Sequence, residues 1–511
     1  MPRGTMMERE AWTAVTRRQF LGAAATAAAT GLVRAARLAA AESPPNIVLI
    51  VADDLGYSDL SCYGQKRFDT PNVDRLAAEG ARFTAHYSGS PVCAPSRCSL
   101  LTGLHTGHAC IRANDELPER GDVWNDPSLE GQRPLPPGTA TIATLLKGAG
   151  YDTALVGKWG LGGPASDGEP TRHGFDHAFG YLCQRQAHNH YPDHLWRNGR
   201  RVALDNPSFR AHQRFDAAAD PADPRAYDRY QGRVYAQDAM MDEAIAWLRD
   251  RGTRPFFLHL APALPHLALQ VPEEGLAPFA GRFPETPYLG EKGYLPHRTP
   301  RAAYAAMIAR LDAGVGRLMR TLAETGLDSR TLVIFTSDNG ATFEAGGYDG
   351  RFFESNAPWR GGKQDLYEGG IRVPFIARWP GRVPKGIVRD EPCASWDLAV
   401  TFADLAGATP MPGHDGVSLR PLLEGRPAAP RAPLYWEYLG KQAVRDGRWK
   451  AILDAPTGVI EVYDLAADPG ERRNVARARA GEAARLRQIM RDSRVESSLF
   501  PLVKARTVPA A

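Results

Sequence analysis

Apolar and polar positions along the chain alternate between two recurring patterns. Asn46-Ile47-Val48-Leu49-Ile50-Val51 is an unbroken apolar run rich in β-branched residues, the pattern of a strand covered on both faces, and it stops at Asp53-Asp54. Thr70-Pro71 then opens a helix through Glu79 that closes at Gly80, with a polar N-cap and a proline in the first turn. The pair repeats. A short helix over 141–150 leads to a strand from Tyr151 to Val156 that ends at Gly157-Lys158. A strand from Phe256 to Leu260 is followed by Pro265-His266, and a helix over 302–322 leads to a strand from Thr331 to Thr336 that runs into Ser337-Asp338-Asn339-Gly340. Strands alternating with helices predict an α/β fold: a large central, mostly parallel sheet flanked by helices. Ligands of such sheets bind beyond the carboxyl ends of the strands. Four of those ends carry Asp, Lys, His or Asn here, as convergence on one site requires.

Two stretches depart from this rhythm. Residues 164–230 are rich in Arg, His, Asp and Pro with little periodicity, too long for a plain connection and therefore expected to be a functional excursion. After Pro412 come short, closely spaced strands at 434–438, 442–445, 449–453 and 459–464, then a helix over 476–492, which predicts a small C-terminal antiparallel sheet with a helix. The expected organisation is a leader over 1–41, a main α/β domain over 44–412 and a C-terminal α+β subdomain over 413–511.

Composition narrows the function classes. The chain has 511 residues, 43% hydrophobic and 23% charged, which excludes disordered, collagenous and disulfide-scaffold proteins. Its net charge of +4 sits in the first 41 residues, and the remainder is balanced, so neither a nucleic-acid partner nor a polybasic membrane contact is expected. Those residues carry Thr16-Arg17-Arg18-Gln19-Phe20-Leu21-Gly22, an Ala-rich stretch to Val33 and the small-residue exit Ala39-Ala40-Ala41. The order is that of a twin-arginine export signal, too weakly apolar to be a stable membrane anchor, and it predicts a periplasmic or secreted protein. The six cysteines form no CxxC pair or Cys/His ladder, which argues against zinc; one or two disulfides stay unassigned.

The chemistry-bearing residues cluster in short blocks. Asp53, Asp54, Asp338 and Asn339 are hard oxygen donors suited to Ca²⁺ or, less selectively, Mg²⁺. Cys93-Ala94-Pro95-Ser96-Arg97 places Pro95 in the first turn of a helix whose N-terminus favours an anion near residue 93, and Arg97, Lys158 and Lys363 supply positive charge. The Cys-x-Pro-Ser-Arg block, Gly157-Lys158-Trp159, Ser337-Asp338-Asn339-Gly340 and 360–370 (Arg-Gly-Gly-Lys-Gln-Asp-Leu-Tyr-Glu-Gly-Gly) resemble, in order, the blocks of the type I, formylglycine-dependent sulfatases. The likeness runs from about Asn46 to Asn474 and includes Val462-Tyr463-Asp464-Leu465 with Asp468-Pro469-Gly470-Glu471.

The resemblance implies an alkaline-phosphatase-superfamily fold and an arylsulfatase-like sulfuric ester hydrolase. It implies that a formylglycine-generating enzyme oxidises Cys93 before export and that Asp53, Asp54, Cys93, Asp338 and Asn339 hold the metal. It further implies catalytic roles for Arg97, Lys158, His266 and Lys363: a hydroxyl of the hydrated formylglycine attacks sulfur, aided by a carboxylate such as Asp338, His266 or Lys363 protonates the leaving alcohol, and loss of a proton from the second hydroxyl expels sulfate.

One block departs from the family pattern, which places His after Lys-Trp where this chain reads Lys158-Trp159-Gly160. His188, with His190 as the alternative, is expected to take the vacated place, and Gln184, His190 and Arg197 are expected to bind substrate, taken to be a sulfated carbohydrate. Two rival readings follow: a formylglycine-dependent phosphonate or phosphodiester hydrolase, since nucleophile and metal suit phosphorus too, and a non-catalytic sulfated-glycan-binding protein, suggested by Gly160.

Overall fold

The apolar run at 46–51 lies in the middle of a ten-stranded sheet in the computed structural model, which describes residues 44–115, 130–428 and 430–503. The expected leader over 1–41 lies outside the described residues. In chain order the strands are β1 (Asn46–Ala52), β2 (Ala81–Phe83), β3 (His86–Tyr87), β4 (Asp152–Lys158), β5 (His177–Tyr181), β6 (His194–Arg197), β7 (Arg200–Ala203) and β8 (Phe256–Ala261). They continue with β9 (Thr331–Ser337), β10 (Phe375–Arg378), β11 (Ile387–Arg389), β12 (Cys393–Ala394), β13 (Leu434–Tyr438), β14 (Lys441–Asp446), β15 (Trp449–Asp454) and β16 (Val459–Asp464).

The main sheet has the order β11-β2-β10-β9-β1-β8-β4-β5-β6-β7. Its centre, β9-β1-β8-β4-β5, is parallel throughout, while β10 runs antiparallel between β9 and β2, and β6 and β7 form an antiparallel edge. Alternate residues of β1 feed two separate cores: Val48, Ile50 and Ala52 pack on one face, and Ile47, Leu49 and Val51 on the other. Burial on both faces is why the run has no polar alternation. The expectation of a mostly parallel sheet covered by helices holds. The excursion over 164–230 is more ordered than its composition predicts, because it contributes β5, β6 and β7 to the sheet.

Helix starts follow the expected chemistry with one difference. Thr141 caps the helix Ile142–Gly148 in a reciprocal capping box with Thr144. Thr70 precedes the helix Pro71–Ala78 but does not cap it; its hydroxyl donates to Asp74 at 3.0 Å, and Asp312 of the helix Pro300–Glu324 accepts the backbone N–H groups of Asn72 and Val73. A distant carboxylate thus does the work expected of the local hydroxyl. Among the described residues no helix is long and apolar enough to cross a membrane.

Strands β13 to β16 form the expected antiparallel sheet in sequential order, with the helix Ala480–Asp492 packed on it. A fully buried ionic group joins it to the larger part of the molecule: Lys450 Nζ on β15 lies 2.9 Å from Glu368 Oε1 and 2.9 Å from Glu471 Oε1, while Arg372 and the Tyr87 hydroxyl also bind Glu368. Lys450→Met should lower the unfolding free energy by about 3–5 kcal/mol, because removing one partner leaves buried charge unpaired. Adding Glu368→Gln and Glu471→Gln should recover part of that loss. Urea denaturation reads both, and a K450M midpoint equal to wild type would refute the role.

Candidate active site

The parallel centre of the sheet brings four carboxyl ends side by side. Asp53 and Asp54 follow β1, Lys158 ends β4, His266 follows β8, and Asp338 and Asn339 follow β9. Two backbone bonds lock this edge: Asp53 N–H donates to Leu264 O and Asp338 N–H to Ala52 O, each at 3.0 Å. Asp54 has a left-handed φ of 61°, and its N–H donates to Asp338 Oδ1 at 3.1 Å. The helix Cys93–Thr102 begins at the cysteine, as the sequence predicts, with all ten of its residues buried. Ala94 N–H donates to Asn114 Oδ1 at 2.9 Å, satisfying one of the free donors of the first turn.

Cys93 Sγ lies 3.4 Å from Asp53 Oδ1 and 3.9 Å from Asp54 Oδ1. Lys158 Nζ is 2.6 Å from Asp53 Oδ2, and Lys363 Nζ is 2.8 Å from Asp54 Oδ2. Arg97 donates to Asp338 Oδ2 through Nε at 3.1 Å and Nη2 at 2.7 Å, with Nη2 also 3.6 Å from Asp53 Oδ1. Three buried carboxylates therefore face three buried cations.

Burial raises the pKa of Asp53, but the positive field of Lys158, Arg97 and Lys363 overcomes it and holds the group well below the carboxylate range. Burial and the neighbouring Asp53 push Asp338 up to about 7, against Arg97 and Lys158. Burial also pushes the Cys93 thiol up despite Lys158 and Lys363, so the unmodified thiol stays protonated and is a poor nucleophile.

His266 donates from Nδ1 to Leu267 O at 2.6 Å, which leaves the Nε2 lone pair to accept from Lys363 Nζ at 3.2 Å; the tautomer follows from this network. Burial and Lys363 lower His266 to about 4, so it is neutral at pH 7, whereas Asp54 holds Lys363 protonated against its burial.

Donor atoms of Asp53, Asp54, Cys93 and His266 lie within 4.8 Å of one another, a grouping able to hold a cation. Asn339 Nδ2 donates to Asp54 Oδ1 at 2.7 Å, and its buried Oδ1 has no partner. An orphaned amide oxygen among carboxylates fits a hard divalent ion. Asp338 is not in that grouping, and its oxygens are engaged by Arg97 and the Asp54 N–H.

The excursion residues separate into those brought to this centre and those that are not. His188 stacks on His266 with ring centroids 4.9 Å apart, and its Nδ1 is 3.1 Å from His212 Nε2. It does not take the place beside Gly160: a Cβ there would meet Gln184 Nε2 at 2.0 Å, so the Gln184 amide fills that space. Both polar atoms of this buried amide lack a partner. His190 is corrected from substrate binding to support, because Gln237 donates to its Nδ1 at 2.9 Å and its Nε2 donates to His266 O at 2.9 Å. Arg197 is likewise corrected. It pairs with Glu243 at 2.6 Å and lies over Phe179, at the end of the antiparallel β6 that points away from the strand carboxyl ends.

Three neighbours escaped sequence reasoning. Tyr294 and His212 pack with His188 in an aromatic group, and Tyr438, at the end of β13, lies close enough to Lys363 for its charge to act on the phenol. Tyr438 ends the predicted strand 434–438 and His212 lies in the excursion over 164–230, but none of the three sits in a motif, so the sequence carries no signal for its place beside the site.

Comparison with known proteins gives a consistent picture. The model of the Sulfatase family matches residues 45–408, and that of N-sulphoglucosamine sulphohydrolase, C-terminal, matches residues 361–496. The chain is 34% identical to the steryl-sulfatase of Mus musculus over 523 residues, covering 85% of this chain and 78% of the relative. It is 32% identical to the N-acetylgalactosamine-6-sulfatase of Canis lupus familiaris over 499 residues, covering 95% and 88%. The crystal structure of Ps i-CgsB in complex with k-i-k-neocarrahexaose superposes with a TM-score of 0.70 at 28% identity, covering 88% of this chain and 93% of that one.

The charge balance makes a prediction that needs no activity assay. Lys158→Met leaves three buried carboxylates against two cations and should cost about 3–5 kcal/mol in chelator-treated protein. Added Ca²⁺ should then raise the melting temperature of the variant more than that of wild type, because the ion replaces the missing charge. Equal Ca²⁺ shifts in both proteins would sink the assignment of the cation to this cluster.

Proposed function

This chain belongs to the sulfatase family and is a sulfuric ester hydrolase; from that premise we propose that it hydrolyses the sulfate ester of a carbohydrate through a formylglycine made from Cys93. The observation that carries this reading is the position of Cys93: first residue of a buried helix, in contact with Asp53 and Asp54, with its thiol held protonated. A thiol so placed is a poor nucleophile as it stands but a well-placed precursor. Formylglycine supplies, in its hydrated form, the hydroxyl that attacks sulfur, and its installation by a formylglycine-generating enzyme precedes export by the twin-arginine route to the periplasm or beyond. A divalent ion, Ca²⁺ or Mg²⁺, held by Asp53, Asp54 and Asn339 beside residue 93, supplies Lewis-acid stabilisation of the sulfuryl oxygens.

The side chains divide the remaining work. Lys158 keeps Asp53 ionised, and Arg97 orients Asp338. Asp338, with its raised pKa, is suited to take up the proton of the attacking hydroxyl. Of the two candidates for protonating the leaving alcohol, Lys363 carries the proton at pH 7 and His266 accepts its hydrogen bond, so Lys363 is the donor and His266 holds it in place. His188 supports His266 from behind by stacking. The carbohydrate reading is supported by the sugar names among the relatives and by the surroundings of the site: Tyr294 and Tyr438 offer flat faces, and the Gln184 amide offers polar groups for hydroxyls.

Two measurements test this. Mass spectrometry of the tryptic peptide ending at Arg97, from protein made in its own host or with a formylglycine-generating enzyme, should show it about 18 Da lighter than the cysteine form. An unmodified thiol with no turnover of sugar, aryl or steroid sulfates would favour the binding-protein reading. Lys363→Ala should slow sugar sulfates by about 10²–10⁴-fold, the scale of a lost general acid, and 4-nitrophenyl sulfate much less, because its leaving group needs no proton. Equal losses on both substrates would move Lys363 from proton donor to charge support.

A further inference from the structure

The helix Cys93–Thr102 ends at Gly103, whose left-handed φ of 71° turns the chain back along the helix it has just left. Two contacts mark the return path. Cys110 Sγ lies 3.7 Å from Cys98 Sγ, and further along Asn114 Oδ1 accepts the N–H of Ala94. Both flanks of Cys110 are held from outside. Asp415 accepts the backbone N–H of His105 and the Nδ1 of His108, each at 2.9 Å, and Arg112 Nη1 is 2.8 Å from Glu437 Oε1. Two sulfurs in van der Waals contact on backbones fixed at both ends need only a small side-chain rotation to reach bonding distance, about 2.05 Å.

We propose that Cys98 and Cys110 are a disulfide site, oxidised in the mature protein, that fastens the returning segment to the middle of the helix bearing residue 93. Cys110 is the half-buried member, within reach of an oxidant, and Cys98 is buried behind it. Cys110, the more exposed of the two, is the thiol that an oxidant meets first, and it attacks as its thiolate. It attacks a sulfur of a disulfide oxidant, oxidised glutathione or a protein disulfide, and the oxidant's S–S bond breaks to release one thiol. Cys98 then gives up its proton and attacks Cys110 Sγ, which forms the intramolecular bond and releases the second thiol. Two protein thiols are oxidised and one disulfide is reduced. Cys93 is not consumed: five residues along a helix place it about 140° from Cys98 around the axis, and its sulfur faces Asp53 and Asp54.

Trypsin cleaves after Arg97 and Arg112, so Cys98 and Cys110 fall on one peptide, 98–112, separate from the peptide carrying Cys93. Protein equilibrated with oxidised glutathione and alkylated in denaturant without reductant should give this peptide free of alkyl groups and about 2 Da lighter than the dithiol; prior reduction should give two alkyl groups. Reductant should also lower the melting temperature of wild type while leaving that of Cys110→Ser unchanged. A doubly alkylated 98–112 peptide after glutathione treatment, or an equal effect of reductant on both proteins, would overturn the proposal. The Cys93 peptide in the same digest is read independently, so failure of the proposed nucleophile leaves this inference standing.

Discussion

Three carboxylates meet beneath Cys93 out of reach of water, and the rest of the site follows from keeping them charged. Asp53, Asp54 and Asp338 are buried, and each is matched by a cation from a different part of the chain: Lys158 from the end of β4, Lys363 from the loop before β10, Arg97 from the helix that Cys93 begins. Unpaired, any one of them would cost several kcal/mol or take up a proton. Asp338, whose partner is shared with Asp53, comes nearest to doing so, with a pKa of about 7. With charges balanced in the protein alone, a bound divalent ion leaves the site positive, which suits an anionic ester entering a low-dielectric pocket. Adding one ion therefore changes the site from neutral to anion-attracting.

The second buried ionic group explains why the chain continues for so long after the main sheet is complete. Glu368 lies five residues beyond Lys363, and Lys450 and Glu471 hold it from the C-terminal part of the chain. The C-terminal sheet is thus docked through the loop that delivers Lys363, and the same docking brings Tyr438 near the site. An antiparallel sheet that looks like an appendage in sequence is thus tied, through Glu368, to the loop that carries Lys363.

Much of this was legible because strong local signals and chemistry coincide. The run at 46–51 reads as a doubly covered strand, and the polar residues at the ends of β1, β4, β8 and β9 read as a convergent site because parallel strands put their carboxyl ends together. What escaped depends on tertiary contacts without periodicity. Residues 177–203 form three strands whose sequences, with His, Arg, Trp and Gly, do not read as buried β structure because they lie towards a partly exposed edge. His190 looks like a ligand in a polar cluster, yet both its nitrogens serve the backbone of His266 and the side chain of Gln237. Thr70 shows the same limit: its type predicts a cap, but Asp312, remote in sequence, supplies it.

Gly160 and Gln184 are best understood as one feature. Gly160 has a φ of 75°, a conformation that side-chain-bearing residues rarely adopt, and a Cβ there would overlap the Gln184 amide. Placing a histidine at 160 would therefore strain the backbone and collide with Gln184, so the two positions specify each other. A carboxamide exchanges no proton near neutral pH, and it brings a donor and an acceptor with no protein partner. Absence of an imidazole at this place leaves one titrating group fewer, and on the proposed reading proton transfer falls to the pair Lys363 and His266, which share a hydrogen bond, with His188 stacked on His266. An unpartnered amide at 7% exposure is costly unless something satisfies it, and the group that does so is best sought in the substrate.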